Sequence, residues 1–204
     1  MQLLAMDDAP DPFDARMETP RGVSIELENV PAGPGNTAAR RYARITVREG
    51  ESPEQARARL VVWAETQAMP SGDRVLTGAA LEHDEDRGVT EQVGFRTYLV
   101  KGDAVVDGHD VKEASVSLDR ELRSAQVLIT LRSEGAERSR AFTAANVKRR
   151  LAIVVEGKVE NAPVILAEIG GGSVSINVGA GAPERQLADA KRLAARLTGG
   201  PLRP

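Results

Sequence analysis

The chain has 204 residues, 41% hydrophobic and 28% charged, long enough and apolar enough for one substantial domain with its own core. Its 27 Lys and Arg against 30 Asp and Glu leave a formal charge of -3, so no global positive field draws it to nucleic acid. The absence of cysteine excludes disulfides, thiol catalysis and Cys-based zinc sites, and with aromatics at 3% the core must be built from Val, Leu, Ile and Ala.

Residues 1 to 21, acidic and carrying Pro10, Pro12 and Pro20, show no periodicity and are expected to form a flexible lead-in. MQLLAMDDAPDP has neither the basic flank nor the apolar run of an intact signal peptide, and no segment reaches the ~18 continuous apolar residues of a membrane span. From Val23 the pattern changes. VSIELE and RYARITV alternate around the turn PAGPGN, predicting two strands and a long hairpin loop over 23–48.

Ser52, Pro53 and Gln55 together predict a helix start, with Ser52 as cap, Pro53 at the first helical position and Gln55 closing a capping box. Ala56, Leu60, Trp63, Ala64 and Gln67 then recur at helical spacing, and MPSG ends the helix. Residues 73–132 divide into strands at VLTGAALEHD, VGFRTYLVKG, VKEASVSLD and SAQVLITL. The last two are expected to pair as a hairpin, with Ala114, Val116 and Leu118 on one face and Val127, Ile129 and Leu131 on the other strand's matching face.

A helix over 133–147 presents Ala136, Ser139, Phe142, Asn146 and Val147 on one face. LAIVV is apolar on both strand faces and is therefore expected to be the central strand. Glu156 and Gly157 supply a turn, and VENAPVILAEI returns as a strand in which Pro163, lacking an N–H, requires a sheet edge or a bulge. SVSINV points Val174, Ile176 and Val178 inward, and a helix from Pro183 buries Leu187, Ala190, Leu193, Ala194 and Leu197. The reading is an α+β fold, a mostly antiparallel or mixed sheet of about eight strands with about three helices packed on it. Its parts are the lead-in 1–21, a strand-strand-helix part 22–72, an α+β domain 73–200 and a tail 201–204.

SEGAERSRAFTAANVKRRLAIVVEGKVENAPVILAEIGGGS, residues 133–173, resembles the head subdomain in the first periplasmic domain of the bacterial protein-export membrane protein SecD. That family shows a helix starting EGA, a hairpin of the form NVG-K/R-RLAIV-x-DGKV-x-SAPVI, and then I-x-GG. This chain departs from the pattern at Lys148 for Gly, Glu156 for Asp, Asn161 for Ser and Ser139 for a core Phe, and GAGAPERQLADA replaces the family's G-F-T-x-x-E-A before the last helix. The resemblance implies a periplasmic or cell-envelope location and partners among unfolded or exported polypeptides or Sec translocon components. The membrane helices that carry proton coupling in SecD have no counterpart in these residues, so only a capture role is implied.

No catalytic, cofactor or metal residue is expected. There is no GxSxG elbow, no GK[ST] after GGGS, and His83 and His109 fit no metal-ligand spacing. The basic clusters at Arg40, Arg41 and Arg44 and at Lys148, Arg149 and Arg150 read as solvated charge. A sheet edge beside an apolar strip suits an extended polypeptide, with Tyr98, Pro163, Val164, Leu166 and Ile169 as the contact positions. The alternative is a structural subunit of the envelope that pairs through the same edge, with itself or another protein. A weaker alternative is an enzyme with a metal at His83 or His109.

Overall fold

The computed structural model describes residues 1–7, 12–14, 16–31, 37–86, 89–119, 124–178 and 182–198, which hold ten strands and three α-helices. They run β1 (Gln2–Met6), β2 (Val23–Pro31), β3 (Thr37–Thr46), α1 (Pro53–Glu65), β4 (Asp73–Asp84) and β5 (Val89–Val106). A 3-10 turn (Gly108–Asp110) leads to β6 (Val111–Asp119), β7 (Ser124–Leu131), α2 (Ser133–Ala145), β8 (Leu151–Val155), β9 (Lys158–Asn161), β10 (Ser173–Val178) and α3 (Pro183–Thr198). The fold is α+β, as the strand-rich order with singly inserted helices predicts.

Seven strands form one sheet in the order β1-β8-β9-β4-β5-β3-β2. Because β1 also pairs with β5, the strands β1, β8, β9, β4 and β5 close into a ring from which β3 and β2 extend. LAIVV is buried at every position, and its alternation explains why. Ala152 and Val154 pack with Leu4, Met6, Val100 and Val159, while Leu151, Ile153 and Val155 face a second cluster made with β7, β10 and α3. A strand covered on both faces must be apolar throughout.

The chain start corrects the expectation of a loose lead-in. Gln2–Met6 pairs antiparallel with β8 along one edge and with β5 along the other, and Leu3 and Leu4 are fully buried on opposite faces. Five residues are too few to show a period, and their order comes from partners about a hundred or more positions away. Phe13 is buried as well, its ring stacked on Trp63 at 5.6 Å, so it seals α1 onto β3 and β5 with Ala43, Ile45, Leu60 and Phe95. Residues 8–11, 15 and the expected tail 201–204 lie outside the described residues.

Helix α1 begins as its sequence requires, with the Ser52 hydroxyl accepting from the Gln55 N–H and the Gln55 amide oxygen accepting from the Ser52 N–H. The turn between β8 and β9 has positive φ at both Glu156 (49°) and Gly157 (73°), the geometry of a tight two-residue hairpin. Lys148 also has φ 72°, which explains the glycine that the SecD pattern carries there. Asn146 does not adopt that conformation; its side-chain amide donates to the Phe142 carbonyl at the end of α2.

The smaller sheet has the order β10-β7-β6, with α3 against it through Ala190, Leu193, Ala194 and Leu197. Helix α2 is held to the 3-10 turn by Arg138, whose guanidinium donates to both Asp110 carboxylate oxygens at 2.6 and 2.7 Å. The contact is close because position 135 is glycine. A Cβ there would come within 2.6 Å of the Asp110 Cβ. Burial pushes the Asp110 pKa up, but the Asp107 N–H and the Arg138 guanidinium outweigh it and hold the carboxyl below its ordinary range.

Three outcomes follow from this packing. Leu4→Ala costs about 2–5 kcal/mol in urea unfolding, whereas a loosely attached segment would show no loss. Lys148→Gly raises stability by about 1 kcal/mol, because glycine has no Cβ to oppose the left-handed conformation at this position. The folded pKa of Asp110 lies below the unfolded one, so its contribution is complete above about pH 4 and is lost as pH falls through the folded value. A pH series of urea midpoints therefore shows the gap between the wild type and Asp110→Asn narrowing in acid.

Candidate functional site

The expected contact residues lie on β5 and on the segment that follows the β8–β9 hairpin. That segment is strand only to Asn161, then continues as a single bridge, Val164 opposite Arg150. The Pro163 carbonyl accepts from the Leu151 N–H at 3.0 Å, and Ile165 exchanges hydrogen bonds with Lys148 and Arg149. Pro163 thus sits past the regular ladder, whose register also shifts between Ile153 and Val154. The missing proline donor is accommodated by irregularity, as its chemistry demands.

The returning strand is not a sheet edge. β9 pairs with β8 on one side and parallel with Thr77 and Gly78 of β4 on the other. The cause is Gly78, which has no side chain where the Val159 backbone closes in. A parallel partner eighty residues upstream leaves no local mark in VENAPVIL.

The five residues separate into two groups. Tyr98 is half-buried and packs, with Ala162, against the Leu4, Met6, Val100 and Val159 cluster. Ile165 anchors the other group at 4% exposure, while Leu166 next to it is 75% exposed. Pro163 is exposed, Val164 and Ile169 are half-buried, and the Ile169 N–H donates to Thr143 in α2. Val147, which precedes the hydrogen-bonded Lys148, is also exposed. Pro163, Val164, Leu166 and Ala167 thus give an aliphatic strip on a firmly anchored arm.

Tyr98 instead belongs to a polar face across β2, β3 and β5 that the sequence reading missed. The Arg96 guanidinium lies over both aromatic rings, 3.7 Å from the Tyr42 centroid and 4.8 Å from that of Tyr98. Glu28 pairs with Arg96 at 2.6 Å and with Arg150 at 3.0 Å, while Arg44 bridges Glu26 and Glu82. Burial pushes the Glu28 pKa up, and its hydrogen bonds and attraction to Arg96 and Arg150 outweigh that and bring it down. Burial first, and Glu28 next, raise the Tyr98 pKa against the opposing pull of Arg96. Arg44 and Arg150 are thus half-buried ion-pair partners, not solvated charge. The available signal was the hairpin register, which sets Glu26 opposite Tyr42 and Glu28 opposite Arg40.

His83 and His109 are both exposed and belong to different elements, His83 on β4 beside Thr90 and His109 in the 3-10 turn. Among the described residues no three His, Asp or Glu side chains are grouped to hold a metal. A cleft of about 850 Å³ opens between the start of β1, the 3-10 turn and the end of α3, lined by Lys112, Arg132, Asp107 and the ion pair of Arg196 with Glu156 at 3.4 Å. Among the described residues no helix is long and apolar enough to cross a membrane. The surface offers aliphatic contact, balanced ion pairs and strand edges, all means of binding.

The family model described as "SecDF, P1 head subdomain" matches residues 72–203, nearly two thirds of the chain. The chain is 32% identical over 142 residues to the protein translocase subunit SecD of Syntrophobacter fumaroxidans, covering 70% of this chain and 24% of that protein. It is 41% identical over 76 residues to the SecD subunit of Aquifex aeolicus, covering 37% of this chain and 15% of that one. A solved structure described as "Structure and function of a membrane component SecDF that enhances protein export" shares 32% identity over 50% of this chain and 44% of its own, at a TM-score of 0.43. The chain spans about a quarter of the length of the first two curated relatives it matches. With the helix, the tight hairpin and the irregular arm of residues 133–172 all in place, the chain belongs to the SecDF P1 head subdomain family.

Proposed function

We propose that this chain is a non-catalytic binding module of the bacterial export machinery, presented on the periplasmic side of the cell envelope, that engages translocating or newly exported polypeptide or docks on the translocon. Family membership supports the setting, since the relatives are protein translocase subunits. The observation that carries the capture role is Leu166, held 75% exposed on an arm whose neighbour Ile165 is locked in the core at 4% exposure. An apolar strip on rigid backbone accepts unfolded chain without loss of its own order. Pro163 and Val164 are part of the strip, Ile169 flanks it, and Tyr98 lies on the adjoining polar face.

A second reading, a structural subunit that self-associates or pairs with another envelope protein, is favoured by the strand edges that β2, β6 and β10 leave open among the described residues. Sedimentation across a concentration series separates the two, because the binding module stays monomeric without client.

A photo-crosslinker at position 166 tests capture. It should label an unfolded secretory protein several-fold more than the same protein folded, and Leu166→Asp should reduce binding of the unfolded form while leaving the melting temperature within a few degrees of wild type. Equal labelling of both forms, or none, contradicts the proposal.

A further inference from the structure

Sheet edges expose unpaired backbone groups, and proteins protect them with charge, proline or bulges. Among the described residues, two of this chain's open edges carry such protection. β2 bears Glu26 and Glu28 and ends at Pro31, and β6 carries Lys112 and Glu113 at a register shift. β10 has none: SVSINV holds an unbroken antiparallel register with β7 from Ser173 to Val178, without charge or proline.

The ladder also shows which groups face outward. The Leu131 N–H donates to the Gly172 carbonyl at 2.7 Å, which fixes the alternation, so Val174 and Ile176 bond to β7 while Ser173, Ser175 and Asn177 turn their N–H and C=O to the open side. These three are the small, uncharged, exposed residues of the strand. Val174 and Ile176, at 5% and 0% exposure, hold the strand in the core beneath them.

Resting on the proposed engagement of polypeptide, we infer that the outer edge of β10 is a strand-addition site that takes an extended, uncharged segment of client polypeptide. An antiparallel client forms doubly bonded pairs at Ser173, Ser175 and Asn177, and backbone recognition of this kind makes little demand on client sequence. The alternative occupant is a second copy of this chain. Six residues a side fall well short of the roughly 20–30 a side of a stable interface, so this edge suits a passing chain better than a permanent dimer.

The test uses a fluorescent N-acetylated peptide of about eight alternating Ser, Thr and Val residues, the length of one strand, and a twin in which alternate amides are N-methylated. Anisotropy titrations should show the parent binding at least roughly tenfold more tightly than the twin, the ratio expected from losing one or two net backbone hydrogen bonds. Ser175→Pro removes the outward-facing N–H, and Ser175→Lys adds charge while keeping that N–H; both also lose the exposed hydroxyl bond from Ser175 to Gln126. Each should weaken parent binding roughly tenfold, while Leu27→Pro on the outer edge of β2 leaves it unchanged. Far-UV circular dichroism confirms folding, and Ser175→Lys carries the test if the proline variant unfolds. If both position-175 variants bind the peptide as wild type does, the β10 assignment is overturned and capture at Leu166 stands. If wild type binds neither the peptide nor the unfolded secretory protein, both readings fall.

Discussion

The backbone ladder on either side of β1 is the constraint on which the larger sheet depends. Buried N–H and C=O groups must find partners, and five residues at the chain start supply them to β8 and β5 together. That placement buries Leu3 and Leu4 on opposite faces and closes the ring that also holds β9 against β4. With β9 enclosed, the hairpin of β8 and β9 becomes a rigid base for the arm that follows. The arm projects Leu166 outward because Ile165, one residue earlier, is fixed inward.

Much of this fold was legible in the sequence wherever the cause is local. Ser52, Pro53 and Gln55 mark a helix start by chemistry confined to four residues, and LAIVV reports burial on both faces through its own composition. The β6–β7 hairpin was readable from matched alternation. What stayed hidden depends on distant partners. QLLAM resembles a loose start until β8 arrives some 150 positions later, and Pro163 allows either an edge or a bulge until Gly78 lets β4 cover β9 and only the irregularity remains. The half-buried ion pairs of Glu28 with Arg96 and Arg150 join three separate stretches, so each arginine read alone looks solvated. Of the candidate contact residues, the exposure of Leu166 and Pro163 fits a surface role, whereas Tyr98 is engaged with Arg96.

The departures from the SecD pattern have physical content. Lys148 occupies a left-handed conformation that suits glycine, and Ser139, standing where the family commonly has Phe, is buried with its hydroxyl oxygen unbonded. Each substitution costs stability at its own position, yet the neighbouring bonds from Lys148 to the Ile165 carbonyl and from the Ile169 N–H to the Thr143 hydroxyl are formed.

The proposed role requires that an unfolded chain change the protection of particular backbone groups on this protein. Hydrogen–deuterium exchange with and without a saturating unfolded secretory protein reads those groups directly. Slower exchange is expected over 173–178 and around 163–169, with the protected edge 23–31 unchanged. No slowing anywhere in the chain at saturation would contradict the proposed role.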